Sequence, residues 1–464
     1  MKTFLFIISL LSLSNVYSQN IHSKNGVKKQ LKDFKIFKES FLSNSAGIYF
    51  YSTEKEFENN INELEKTLST FQSDYEIYKA YAKCVASIHC GHSIIMVKHI
   101  HDKFLKNKSS FPFEVYYING KLLLKNDYQD QNVSLKKYTE IKSINGETIT
   151  DLAAYFSLFI SSDGTNQTHK NELMENKFMF YYYCFKNQVK TLNIEYKNEQ
   201  SEIEKASFKA SIPVTTKQKE SDYTTHLSRH IDTINKRATL ILPNPLPRNS
   251  TYKLQLDSFF IYVNQYQIDN IILDLRGNTG GLTQNYLTGF FCDTAYTFES
   301  RTLKANKKLN LHYQKPFDSQ RISILCTRLL TINGKRTTVK ECTPKTPQFK
   351  GNLYILTDGW TFSAASNLAS ILKEHSHAIT VGEETGGSYQ KCSTGNLILK
   401  LPESKLSFKI NPMQYQNAVT VTNHKGGVLP THEVKPSDKW DSEKDEQLQF
   451  VYELIKNQKT DIKQ

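Results

Sequence analysis

The chain has 464 residues, 39% of them hydrophobic and 12% aromatic, and a net charge of +13. That supports a substantial core spread over roughly two to four domains. The excess charge is lysine dispersed along the sequence, with no basic stripe interleaved with aromatics. This argues against a nucleic-acid partner.

The amino-terminal stretch "MKTFLFIISLLSLSNVYSQN" carries one charge at Lys2, an apolar run from Phe4 to Leu13, and small residues at Val16 and Ser18. The pattern is that of a secretory signal peptide cut after Ser18, with no lipobox-like cysteine behind it. No later run approaches the ~20 apolar residues of a membrane-spanning helix. The mature chain is therefore expected to be exported (periplasmic or extracellular), soluble and not membrane-spanning. Export permits disulfides. Seven cysteines are present: Cys84, Cys90, Cys184, Cys292, Cys326, Cys342 and Cys392. The odd count leaves at least one unpaired within the chain. Cys326 and Cys342 flank an Asn333-Gly334 hairpin signal and are the expected pair.

From about residue 28 to 86, apolar residues recur at helical spacing in "EFENNINELEKTLSTF" and "YEIYKAYAKCVASI". From about 111 to 204 the pattern alternates. "FPFEVYYINGKLLLK" predicts a hairpin turning at Asn119-Gly120, and "YTEIKSINGETITDLAAYFSLF" predicts strand, Asn145-Gly146 turn and helix. From about 236 strands and helices alternate. "RATLILP", "NIILDL", "GNLYILTD" and "AITVG" read as strands. Between them, Leu256, Phe259, Phe260 and Val263 share one helical face, and Ala365, Leu368, Ala369 and Leu372 another. Continuous apolar strands separated by helices imply a sheet covered on both faces, hence an α/β core. Residues 293–347 are rich in Lys and Thr and read as an insertion.

Two strand ends look chemically specialised. "DLRGNTGG" (274–281) follows an apolar strand, and its glycines allow close backbone approach to a ligand. It reads as an anion-holding loop or as a plain glycine-rich turn. No Gly-Lys-Ser/Thr closes it, which disfavours a phosphate loop. "DGWTFSAASNLASIL" (358–372) sets Ser363 where strand gives way to helix. If the helix begins at once, Ser363 lies in its first turn, either as a cap or as a nucleophile favoured by the helix dipole. Ala364 N–H and the Gly280/Gly281 region would then form an oxyanion hole. The base would come from "ASIHCGHSII", where His92 is better placed than His89. A structural histidine, a metal fragment in "HCGH", or Cys90 as nucleophile are the other readings. No second Cys/His pair at finger-like spacing supports a metal, and none is assigned.

Taken in order, "NIILDLRGNTGG", "LTDGWTFSAAS" and "VGEETGG" resemble the C-terminal processing (tail-specific) serine peptidases, relatives of the tricorn core protease and interphotoreceptor retinoid-binding protein. The resemblance is closest over 236–437, and "IHCGHS" is similar to the family's Gly-His-Thr segment. It implies a crotonase-like α/β core with Ser363 as nucleophile and Gly280, Gly281 and Ala364 at the oxyanion hole. "YTEIKSINGETITDL" resembles the later half of a PDZ module whose usual carboxylate-binding loop is not apparent. The implied organisation is a signal peptide (1–18), a helical region (19–105), a β-rich PDZ-like module (106–235) and the catalytic core (236–464).

Two departures mark this chain. Ser388 stands where many members carry a catalytic lysine, so a Ser–Lys dyad is not expected and His92 becomes the base. Ser366 replaces the family's Glu after the nucleophile. Glu433 is the candidate acid to orient His92, and Thr422 is the residue at the slot that the tricorn branch fills with glutamate. The resemblance thus implies an exported serine endopeptidase acting on peptides or protein tails, with no cofactor. A catalytically inactive binder of peptides or apolar ligands on the same fold is the alternative.

Overall fold

The computed structural model describes residues 24–70, 73–96, 112–129, 133–186, 190–210, 227–247, 249–281, 285–304, 335–395, 397–422, 424–437 and 445–461. The signal-peptide segment, Cys326 and the Asn333-Gly334 turn lie outside them. Among the described residues, no helix is long and apolar enough to cross a membrane.

The carboxy-terminal half is built on a six-stranded sheet. Ser228–Asp232 pairs antiparallel with Arg237–Ile241, and Asn270–Asp274, Asn352–Thr357, Ile379–Gly382 and His432–Glu433 follow in parallel. The apolar runs are continuous because both faces are covered. Along "NIIL", Ile271 and Leu273 face one core and Ile272 the opposite one. The first core is closed by helices Ser250–Gln265 and Ala364–His375, which present the apolar faces expected from their spacing. The second is closed by Val451 and Ile455 of Glu446–Asp461. Each of the first two helices links neighbouring parallel strands, so the loops after Asp274 and Thr357 emerge side by side at one edge.

A separate, larger core unites the rest of the chain. The three amino-terminal helices (Lys24–Asn44, Glu54–Leu68, Asp74–Ala86) pack with the antiparallel sheet over 115–209 and with strands Leu397–Lys400 and Ser407–Ile410. The expected hairpin is Val115–Ile118 with Lys121–Leu124. Asn119 and Gly120 both take positive φ, as do Asn145 and Gly146 in the next turn. The stretch read as an insertion starts and ends in one long antiparallel pair, Tyr296–Lys304 with Lys335–Cys342. That pair joins Met413–Asn417 and Lys391–Thr394 in a four-stranded sheet.

Candidate active site

The loops at the sheet edge are tied together by a few buried groups. The Asp358 carboxylate accepts N–H groups from Thr361 (2.8 Å) in its own loop and Gly277 (2.8 Å) in the glycine-rich loop. Phe362 N–H donates to Asn278 O at 3.0 Å. Ser366 is fully buried; its hydroxyl donates to Thr361 O (2.6 Å) and accepts Gly387 N–H (3.1 Å). An ionised glutamate there could accept the Gly387 N–H but could not donate to Thr361 O.

Ser363 is not in the helix. It precedes Ala364, the first helical residue, with φ 55° and ψ −120°, and its side chain makes no capping bond. The expectation that it lies in the first helical turn is therefore corrected. The left-handed backbone turns the hydroxyl away from the helix axis and toward a histidine: Ser363 Oγ lies 2.9 Å from His92 Nε2. The His92 ring stacks on Phe362 (centroids 4.6 Å apart), and His169 stacks on the same ring at 4.5 Å. Burial pushes the His92 imidazole down to about 3, with His169 and Lys409 adding to the effect.

Gly280 takes φ +93°, and a Cβ there would stand 2.7 Å from both Ala364 N and Phe362 O. Its N–H is already committed to Asn278 Oδ1 (3.0 Å). Of the three expected oxyanion groups, that leaves the N–H donors of Gly281 and of Ala364, the latter at a helix start where the N–H has no intrahelical partner.

Glu433 is not brought to this site. It sits on the last strand of the main sheet, with its side chain 64% exposed and paired with Lys435. Thr422 is exposed and bonded to Gln390. His92 Nδ1 is buried with no partner among the described residues.

Residues 245–434 match the model of Peptidase family S41. The match supports the S41 family of C-terminal processing peptidases for that segment. It also supports a serine-type peptidase. No curated protein matches the chain. Among solved structures, mature CPAF complexed with lactacystin has a TM-score of 0.63 at 12% identity, covering 93% of this chain and 99% of that one. Mature CPAF alone gives 0.62 at 12% identity, covering 93% and 98%. The photosystem II D1 C-terminal processing protease gives 0.40 at 13% identity, covering 88% and 94%. At such identity the likeness to CPAF is one of fold.

The S41 segment holds Ser363 and the glycine-rich loop, but His92 lies outside it. Asp163 joins the two parts. One of its oxygens accepts Gly91 N–H (2.7 Å) and the other Ser388 N–H (3.2 Å), so it clamps the His92 turn to the loop behind Ser363. Burial raises its carboxyl to about 6 despite both hydrogen bonds. Sequence reasoning missed Asp163 because "SSDGTNQ" reads as an ordinary turn.

Ser388, in the slot of the family lysine, bonds Tyr51 Oη at 2.5 Å instead of approaching the nucleophile. Cys90 is buried beside Ser393 Oγ (2.9 Å), and burial pushes its thiol up, so it is not an activated nucleophile. Cys90, His92 and Asp163 place ligand atoms within 4.8 Å of one another. Cys90 is engaged by Ser393 and Asp163 by two backbone N–H groups, whereas His92 meets Ser363 through Nε2 and leaves Nδ1 without a partner among the described residues.

Proposed function

We propose that this chain is an exported serine endopeptidase working with a Ser363–His92 pair and acting on peptides or unfolded protein tails. The observation that carries the reading is the 2.9 Å approach of Ser363 Oγ to His92 Nε2 from sequence positions 271 apart. His92 is neutral in its buried setting, so Nε2 can take the hydroxyl proton as Ser363 attacks a peptide carbonyl. The oxyanion is then held by the N–H groups of Gly281 and Ala364 at the positive helix end. The imidazolium passes its proton to the leaving amine, and water completes hydrolysis by the same route in reverse.

For Nε2 to accept, the imidazole proton sits on Nδ1, which has no acceptor among the described residues. Stacking on Phe362 takes over the orienting role. Asp163, with a carboxylate oxygen within 4.8 Å of a His92 ring nitrogen, is the nearby acidic group that would face an imidazolium formed there. We read the six-stranded sheet as the crotonase-like core and the sheet over 115–209, with its strand–turn–helix at 140–157, as the degenerate PDZ-like module. The apolar leader of the sequence supports export.

Labelling by a fluorophosphonate probe tests the pair. Wild-type protein should label at one site, and Ser363→Ala and His92→Ala should each abolish labelling while His89→Ala does not. Unlabelled wild type that also leaves unstructured peptides intact would reject the enzyme in favour of a binder on the same fold.

A further inference from the structure

Cys292 lies in the turn after the short helix Asn285–Thr288, and Cys342 ends the strand Lys335–Cys342. Both side chains are buried, and their Sγ atoms are 3.2 Å apart across 50 positions of sequence. They pack on Ile371, in the helix that begins just after Ser363. The surrounding backbone holds them in register: Lys345 N–H donates to Gly289 O at 2.9 Å, and Phe349 N–H to Phe290 O at 2.8 Å. Thr288 Oγ1, at 3.3 Å, is a further polar neighbour of Cys342 Sγ. Closing the pair to a bonded separation of about 2 Å needs a movement of roughly 1 Å, within the reach of side-chain torsions.

We propose that Cys292 and Cys342 form a disulfide when the chain folds in an oxidising medium. The link pins both ends of the 293–347 segment against the nucleophile helix. It replaces the Cys326–Cys342 pair expected from sequence. The step is two thiol–disulfide exchanges with a low-molecular-weight disulfide such as oxidised glutathione. One cysteine thiolate displaces a glutathione thiolate to give a mixed disulfide, and the second cysteine thiolate then displaces the other. Two thiols become one disulfide, and one oxidised glutathione becomes two reduced ones.

Burial and the neighbouring thiol push Cys292 up to about 12, so little of it is thiolate once the fold is complete. The exchange therefore accompanies folding, and protein already folded in its reduced form oxidises slowly.

The test is refolding of the full chain in oxidised and reduced glutathione, alkylation of remaining thiols in denaturant, and peptide mapping by mass spectrometry without and with reductant. The expected result is one Cys292–Cys342 peptide pair that disappears on reduction. It should persist in a Cys326→Ser variant, and the thermal midpoint of wild type should fall on adding reductant. Cys292→Ser, if it folds, should show no reductant-dependent shift. Recovery of both cysteines as alkylated thiols after oxidative refolding, or of Cys342 joined to Cys326, would overturn the proposal. The mapping uses wild-type protein, so a misfolded variant cannot mask the outcome.

Discussion

Replacing Ser363 by Gly and, separately, by Ala isolates the backbone strain at the proposed nucleophile. Both variants lose the hydroxyl and its 2.9 Å contact with His92, so those losses cancel between them. They differ in the Cβ at φ 55°, ψ −120°. A non-glycine residue held in such a sparsely populated region costs about 1–3 kcal/mol. Glycine removes that cost but adds about 0.4–1 kcal/mol of unfolded-chain entropy. Ser363→Gly should therefore exceed Ser363→Ala in stability by about 1–2 kcal/mol. Urea unfolding midpoints, compared at a common slope, measure the difference. Neither variant should take a fluorophosphonate probe. At an unstrained position the sign reverses, because glycine alone would lower stability by the entropic amount. A Gly variant less stable than the Ala variant would refute the strained-elbow geometry, whatever the activities show.

Gly280→Ala puts a methyl 2.7 Å from Ala364 N and 2.9 Å from Ser363 Cβ. Peptide turnover should fall at least ~10²-fold, the size of losing an oxyanion donor, and a change under threefold would remove that loop from the site. Asp163→Ala orphans the Gly91 and Ser388 N–H groups and should cost about 2–4 kcal/mol in urea unfolding, with Asp163→Asn losing roughly half because its amide oxygen still accepts one bond. His92 is held down near 3 in the fold, so between pH 6.5 and 3 the unfolded chain gains a proton that the native state refuses, and stability drops as pH falls. His92→Gln should flatten that decline in urea midpoints measured at pH 6.5 and 4.5. Asp163, raised to about 6, acts with the opposite sign, since its native carboxyl binds a proton first as pH falls through 6. Glu433→Gln, at an exposed carboxylate, should label with the probe at the wild-type rate.

The parts legible in the sequence are those whose cause is local. Both core faces of "NIIL" and the Leu256–Val263 stripe follow from side-chain periodicity, and the two Asn-Gly turns follow from backbone chemistry. Ser363 was legible as a residue but not as a conformation. "FSAAS" contains nothing that distinguishes a helical first turn from a left-handed elbow, because packing of Gly280 and Gly387 against that backbone decides it. His92 could be nominated from its motif, yet its contact with Ser363 depends on two cores docking. Asp163 and the Cys292–Cys342 approach depend on partners 72 and 50 positions away and leave no local trace. Glu433 was nominated by resemblance, and its side chain points to solvent from the sheet's last strand.

The turn bearing His92 is fastened by residues that come very late in the chain. Ile95 and Met96 pair with Phe408 and Ser407, Lys409 N–H donates to Ile94 O at 2.9 Å, and Asn411 Nδ2 donates to Ser93 Oγ at 3.1 Å. During synthesis the histidine leaves the ribosome long before the serine, and its mooring strand emerges later still. A nascent or carboxy-terminally truncated chain thus carries either an unanchored His92 turn or no Ser363. On the proposed Ser363–His92 reading, the pair could be assembled only once this late strand has been made.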